Sequence, residues 1–168
     1  MGSSILNIND IRDKIQTVLN DANTTTASPV DLSSGLYERI NKVCKFNPSD
    51  IEPQTSWFPC VSIHIDSKEI TPAGIAVNQL ISSRKATLSF KIIGMIYYNL
   101  VSNPEDNLPE EEITTLMENI ELILKSNATL DGLVLYQVPT GVDYWTQPYS
   151  DTDMLRVGEM SLEAVMHY

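Results

Sequence analysis

Few residues of the chain could carry out acid–base or nucleophilic chemistry. His64 and His167 are the two histidines among 168 residues, and each lies at a polar position of a predicted strand. A solvated strand histidine is much commoner than a proton shuttle, so neither position indicates catalysis. Cys60 lies four residues before His64, but four strand residues span about 13 Å, too far for a thiol–imidazole hydrogen bond. Neither histidine has a second ligand at a zinc-site spacing.

The carboxylates give no clearer signal of an active site. Glu110, Glu111 and Glu112 lie in the first turn of a predicted helix, where the helix dipole favours negative charge. Asp151 and Asp153 lack the spacing and the distal glutamate of a calcium-binding loop. The sequence has no glycine-rich phosphate-binding motif and no nucleophile elbow. It therefore predicts neither an enzyme nor a bound cofactor or metal.

Composition and charge exclude further classes of protein. Hydrophobic residues make up 42% of the chain and charged residues 20%, which is ordinary for a globular protein, and the length predicts one domain over residues 1–168. With 11 basic and 22 acidic residues the formal net charge is −11, which argues against gripping nucleic acid or an anionic membrane. No run reaches the ~18 apolar residues of a membrane span. Cys44 and Cys60 are expected to be free thiols, in a protein made in a reducing cytoplasm.

Hydrophobic periodicity predicts the elements that must position any functional residue. Apolar residues recur at helical spacing over residues 8–22 and from about 107 to 127. Alternation with period two predicts strands over 61–66, 84–98, 133–144 and 155–168. Segment 36–46 fits either a helical turn or a short strand, and we favour a strand at its end. The order predicts an α+β fold: a single antiparallel or mixed sheet of about four strands, with two main helices packed on one face.

Segment 66–83 connects the predicted strands 61–66 and 84–98. It is long and unusually apolar for a surface connection. Loops of this length in a compact domain are usually functional or disordered, and exposed apolar side chains favour burial against another chain. We therefore predict an extended interface loop, although a small helix or hairpin folding onto its own domain fits the pattern equally well. The apolar residues of this predicted interface are Ile70, Ile75, Val77, Leu80 and Ile81.

Four segments together resemble a known protein family. The phrases FPCVSIHIDSKEI (58–70), RKATLSFKIIGMIYY (84–98), LPEEEITTLMENIELIL (108–124) and LRVGEMSLEAVMHY (155–168) are similar, in pattern and order, to the tail terminator proteins of long-tailed bacteriophages of the lambda type. The resemblance implies a virion structural protein that forms a hexameric ring, caps the tail tube, ends its polymerisation and joins the tail to head-side connector proteins. The regions 23–57 and 148–153 are longer than the family pattern.

Two alternatives stay open beside the tail terminator. The first is a related head–tail connector or neck protein of a contractile-tailed phage. The second, from another class, is a small α+β ligand-binding or regulatory domain, which a pocket with convergent polar groups would favour. In a ring that DNA traverses, the acidic charge predicts an acidic or neutral bore that does not grip the duplex, and a mobility-shift assay should show no salt-sensitive binding.

The apolar segment leads to a direct prediction about assembly. Replacing Val77 and Leu80 together by aspartate should abolish ring formation or tube capping and leave the fold intact, because an exposed loop tolerates such changes. Native mass spectrometry would measure the assembly, and circular dichroism would check the fold. A double variant that still forms rings and caps tubes would place the segment within its own domain.

Overall fold

The computed structural model describes residues 7–24, 40–47, 50, 52–72, 84–102 and 108–167. The helices of this part of the chain are α1 (Ile8–Thr24) and α2 (Leu108–Ser126), with a single 3-10 turn at Thr55–Trp57. Its strands are β1 (Lys42–Cys44), β2 (Cys60–Pro72), β3 (Arg84–Asn99), β4 (Tyr136–Pro148) and β5 (Asp153–His167). None of the described helices is both long and apolar enough to cross a membrane.

The five strands form one mixed sheet in the order β1-β2-β3-β5-β4. The three-residue β1 pairs in parallel with the start of β2, and all other neighbours are antiparallel. The predicted α+β class is confirmed, with five strands where about four were expected. The additional strand is β1, which lies at the end of segment 36–46, where the sequence favoured a strand over a helical turn.

Both helices pack on the same face of the sheet, as the sequence predicted. Along β3 every second side chain from Ala86 to Ile92 is buried on this face, because successive strand residues point to opposite sides. The helices bury one stripe each, since apolar residues three or four positions apart share a helix face. The stripe residues that are fully buried are Ile11, Ile15 and Leu19 of α1 and Ile113, Met117, Ile120 and Leu124 of α2.

Two glycines paired across β3 and β5 let α2 approach the sheet closely. Gly94 lies opposite Gly158 in the register of the two strands. A Cβ atom built on Gly94 would stand 2.8 Å from the Met117 sulfur, and one on Gly158 would stand 2.7 Å from the Met117 Cγ. Both distances are below any normal carbon contact, so the side chain of Met117 occupies the space that the missing Cβ atoms leave.

The structure corrects the predicted extent of the 66–83 loop. Strand β2 continues to Pro72, paired with β3 as far as Arg84, so residues 66–72 belong to the sheet. A bulge between Ile65 and Ser67 breaks the alternation there. Beyond the bulge both faces of the strand are exposed, and a strand without a buried face shows no period of two. The rest of the predicted loop, 73–83, lies outside the described residues.

Strand β4 begins three residues later than predicted. The preceding residues form tight turns in which Leu130, Asp131 and Gly132 all have positive φ values of 48°, 57° and 84°. Leu133, Val134 and Leu135 gave this segment the apolar character of a strand, but the structure has a turn and a bend there. The start of β4 is then fixed by Gln137, whose side-chain amide donates to the carbonyl of Leu124 at the end of α2.

Candidate functional site

The face of the sheet opposite the helices carries most of the polar side chains of the inner strands. Register pairs place Lys91 of β3 between His64 of β2 and Ser161 of β5 on this helix-free face. Every second residue of these strands points away from α1 and α2. These are the positions at which polar residues alternate with apolar ones in the sequence. The helix-free face is therefore where charged groups of different strands come together.

One end of the helix-free face is covered by the chain that precedes β2. A second apolar cluster forms here, separate from the core beneath the helices. Its aromatic rings pack edge to face: Tyr149 lies 5.8 Å from Phe58 and 5.6 Å from Tyr97 between ring centroids. Tyr149 also donates a 3.0 Å hydrogen bond to the carbonyl of Pro53, which holds this cover against the start of β5.

A cleft of about 400 Å³ lies between this cover and the polar part of the face. Its walls come from four strands and the cover, and they combine charged, aromatic and apolar side chains. The lining residues are Asn47, Pro53, His64, Asp66, Lys91, Ile93, Met95, Trp145, Gln147, Leu155, Val157 and Glu159. The bulge in β2 lies at Asp66. The regular pairing of β2 with β3 is therefore interrupted at a residue whose carboxylate lines the cleft.

An ion pair crosses the cleft between β3 and β5. The Lys91 Nζ lies 2.8 Å from a carboxylate oxygen of Glu159 and donates a 2.9 Å hydrogen bond to the Ser161 hydroxyl. Both charged side chains are only a quarter exposed, so the pair is partly shielded from water. The hydrogen bond to Glu159 raises the pKa of Lys91 above its usual value, which keeps the ammonium charged.

His64 has the most unusual environment of the cleft residues. Its Nδ1 is buried and has no hydrogen-bond partner among the described residues. Burial lowers the pKa of His64 below its ordinary value of 6.5, while the charges of Glu159 and Asp66 act in the opposite direction and only partly offset it. The folded protein therefore favours the neutral imidazole.

The lowered pKa of His64 predicts a pH dependence of stability. In the unfolded chain His64 binds a proton near pH 6.5, and in the folded chain it does so only at a lower pH. The contribution of neutral His64 to the free energy of unfolding is therefore complete above pH 6.5 and falls as the pH drops from 6.5 through the lower pKa of the folded protein. Urea unfolding between roughly pH 7.5 and pH 5.5 should show a smaller loss of unfolding free energy for His64→Gln than for the original chain. Equal losses in the two proteins would contradict this role of His64.

The buried cysteines do not form a catalytic pair with His64. Cys44 and Cys60 are free and buried, and burial raises the pKa of the Cys60 thiol to about 12. A thiol with such a pKa is protonated at neutral pH and is a poor nucleophile. Cys60 packs in the apolar cluster beside Met95, its register partner, in agreement with the sequence-based interpretation of a buried residue.

The carboxylates at the start of α2 have a structural partner. Arg156 of β5 donates from its Nε to Glu110 at 2.6 Å, and this bond lowers the pKa of the Glu110 carboxyl. Asp153 accepts hydrogen bonds from Ser150 and Asn99 and so closes the turn into β5. The described residues contain no group of three or more His, Cys, Asp or Glu side chains that could hold a metal ion.

The structure describes one of the five predicted interface residues. Ile70 lies near the end of β2 with 49% of its surface exposed, as a docking residue would be. The other four, Ile75, Val77, Leu80 and Ile81, lie outside the described residues.

The sequence analysis missed the largest exposed apolar group among the residues that the structure describes. Leu135, Tyr136 and Val138 lie around the start of the edge strand β4, and Leu135 is 53% exposed. Downstream, Pro139 and an adjacent bulge interrupt the pairing of β4 with β5, and Pro148 ends the strand. The apolar sequence 133–138 contained the signal, but only the strand order shows that β4 is an edge.

Neither a scan against protein-family models nor a search of curated proteins gives a match to this chain.

Proposed function

We propose that the protein is a virion structural protein of the tail terminator type, assembled in the host cytoplasm and located at the tail or neck of the particle. In this role it forms a hexameric ring that caps the tail tube, ends tube polymerisation and joins head-side connector proteins, while DNA passes through without specific binding. The four segments that carry the resemblance support it, since they supply β2, β3, α2 and β5 of one sheet.

The observation that carries the proposal is the position of the exposed apolar side chains. Ile70 pairs with Ala86, which pairs with Met166, and the adjacent Val165 pairs with Tyr136. Ile70 and Tyr136 therefore lie at the same end of the sheet but on different strands, β2 and β4. Among the described residues β4 is one edge, while β2 beyond Ser62 has no partner strand on its outer side.

Two different apolar patches on opposite edges are what a head-to-tail contact requires. We define the β2 patch as Ile70 and the β4 patch as Leu135, Tyr136 and Val138. When the β4 patch of one copy meets the β2 patch of the next, the first copy still has an unused β2 patch and the second an unused β4 patch, so the chain of contacts continues until it closes into a ring. Full burial of each such side chain contributes roughly 1.5–3 kcal/mol before ordering costs are subtracted.

Native mass spectrometry of the purified protein tests the ring directly. A hexamer is expected at micromolar concentration, and addition of the ring to polymerising tail-tube protein should fix the length of the tubes seen by electron microscopy. A protein that is monomeric at all concentrations and leaves tube growth unchanged would contradict the proposal.

A mixing experiment tests the head-to-tail contact. Ile70→Asp removes the β2 patch, and the double change of Tyr136 and Val138 to aspartate removes the β4 patch. Each variant alone should be monomeric, whereas an equimolar mixture should give dimers and no rings, because only one productive contact remains per pair. Leu122→Asp is the matched control, since Leu122 is 49% exposed on α2, away from both patches, and should leave the ring intact.

A further inference from the structure

We propose that the cover over one end of the helix-free face is a pH-sensitive device, which opens when His64 binds a proton. The cover is the chain that precedes β2, and its described residues are 46, 47, 50 and 52–59. Opening means that the part around Asn47 and Pro53 leaves the helix-free face while strands β2 to β5 stay folded. This role does not depend on ring formation, because none of the residues of the β2 and β4 patches belongs to the cover or lines the cleft.

His64 lies beside the point at which the cover is fastened to the sheet. Asn47 and Pro53 of the cover line the same cleft as His64. Ser62 precedes His64 by two residues and therefore lies on the same face of β2, and its hydroxyl donates a hydrogen bond to the carbonyl of Phe46. A change in the hydration of the His64 ring therefore acts directly on the attachment of the cover.

Protonation of His64 conflicts with the closed position of the cover. The Nδ1 atom is buried and has no hydrogen-bond partner among the described residues. In a neutral imidazole Nδ1 can be the nitrogen without a hydrogen, whereas an imidazolium carries a hydrogen on both nitrogens. In the closed form the second N–H group would be buried without an acceptor, which is unfavourable. Opening brings water to Nδ1 and removes this conflict.

The charged groups around His64 come from three strands and from the cover itself. Lys91, its register partner on β3, repels an imidazolium. The carboxylates of Glu159, Asp66 and Asp50, on β5, β2 and the cover, attract it. Burial outweighs these three carboxylates and lowers the pKa of His64 while the cover is closed. Opening returns the ring to water and leaves Glu159 and Asp66 in place, so the open form binds the proton more tightly and becomes more populated as the pH falls.

The cover is held less continuously than the strands on which the charged groups lie. Strands β3 and β5 are paired from Lys85 to Asn99, a continuous ladder that includes the positions of Lys91 and Glu159. The cover is held by separate side-chain hydrogen bonds, such as those from Ser62 to Phe46, from Asn41 to Phe58 and from Tyr149 to Pro53. Separate hydrogen bonds open locally more readily than a ladder, so we expect the cover to move and the sheet to stay.

Trp57 of the cover reports its position. Its ring lies 5.6 Å from that of Phe46 between centroids, and the Lys42 ammonium lies 3.6 Å from its centre. The chain has two tryptophans, so Trp145→Phe leaves Trp57 as the single fluorescent indole. Quenching by acrylamide, which is uncharged, should increase about two-fold or more between roughly pH 7.5 and pH 5, because the opened cover exposes Trp57. The midpoint should lie below pH 6.5, and far-ultraviolet circular dichroism should stay unchanged.

A matched pair of variants assigns the response to one histidine. His64→Gln keeps a polar side chain that does not titrate, and it should abolish the increase in quenching. His167→Gln makes the same change at the other histidine of the chain, which pairs with Lys85 near the end of β5, and it should keep the increase. Equal responses of the two variants would assign the effect to the carboxylates and overturn the proposal.

Proton NMR gives a second measurement that leaves His64 in place. The ring signals of His64, assigned by their presence in His167→Gln, and the indole signal of Trp57 should titrate with the same midpoint. A Trp57 signal that does not move while His64 titrates would show that the cover stays closed and would overturn the proposal. Loss of the circular dichroism signal over the same pH interval would also overturn it, because the whole domain would then unfold in place of the cover.

Discussion

Replacing Phe90 by alanine is expected to lower the free energy of unfolding by about 3–5 kcal/mol, the usual cost of removing a phenyl ring from a packed core. Phe90 is fully buried at the middle of β3, between Ile65 of β2 and Leu162 of β5, on the face that the helices cover. Leu162 lies on β5, which is held between β3 and β4, so this side of the sheet cannot collapse into the space left by the ring.

Denaturant unfolding followed by circular dichroism measures this loss. Ser89→Ala is the control, because Ser89 is the preceding residue on the same strand but lies on the helix-free face opposite Ser67 and Glu163. This control should change the unfolding free energy by less than about 0.5 kcal/mol. A loss below about 1 kcal/mol for Phe90→Ala would mean that the core beneath the helices is less tightly packed than the structure has it.

The second large effect is expected at the glycine pair beneath α2. Gly158→Ala should destabilise the protein by about 1–3 kcal/mol, because the new methyl group overlaps the Met117 side chain and crowds the Tyr144 ring at 3.2 Å. Met117 is fully buried in the core between α2 and the sheet. The strain therefore has to displace α2 from the sheet or force Met117 out of its rotamer.

Gly141→Ala provides the control for the glycine effect, since a Cβ on Gly141 meets nothing within 4 Å. It should be close to neutral in the same unfolding experiment. Combining Gly158→Ala with Met117→Ala should cost less than the sum of the two single changes, because shortening Met117 relieves the overlap. Strict additivity, or equal effects at Gly141 and Gly158, would contradict the close approach of α2.

The sequence predicted the two helices well, and the reason is physical. Ile11, Ile15 and Leu19, and likewise Ile113, Ile120 and Leu124, repeat at the spacing of a helix that has one buried stripe. This signal depends only on local geometry and burial. Strand β3 was predicted almost to the residue, because its alternation runs from Lys85 to Ile92 and the apolar sequence continues to Ile96 in a strand that has neighbours on both sides.

Pairing that depends on distant residues was harder to predict. The extension of β2 to Pro72 has no period of two, since both faces of the strand are exposed there, and its assignment depends on the partner β3. The start of β4 was predicted three residues early because Leu133, Val134 and Leu135 are apolar, while the turns and bends over residues 130–135 have no sequence signal beyond Gly132. In both places the tertiary contact overrides the local pattern.

The sequence showed some residues of the cleft but did not show that they lie next to one another. His64 and Lys91 were visible as polar positions of two strands, but their adjacency follows from the register of β2 with β3. The contribution of Glu159 and Trp145 depends on the order β3-β5-β4, which places the last strand of the chain between two earlier ones. Sequence periodicity assigns a residue to a face of its own strand, and the strand order assigns it to a neighbour.

The interruption of β4 has a consequence for aggregation. An edge strand of 13 residues with exposed aromatic side chains would normally offer a long template for pairing with the same strand of other molecules, the first step toward cross-β fibres. Pro139 lacks an N–H group, the bulge beside it shifts the register, and Pro148 stops the strand, so the uninterrupted run of donors and acceptors is shortened to residues 141–147. The edge strand β4 can therefore make contacts through its apolar side chains while its backbone offers a shorter template for pairing with other molecules. This favours a specific side-chain contact over fibre growth by backbone hydrogen bonds.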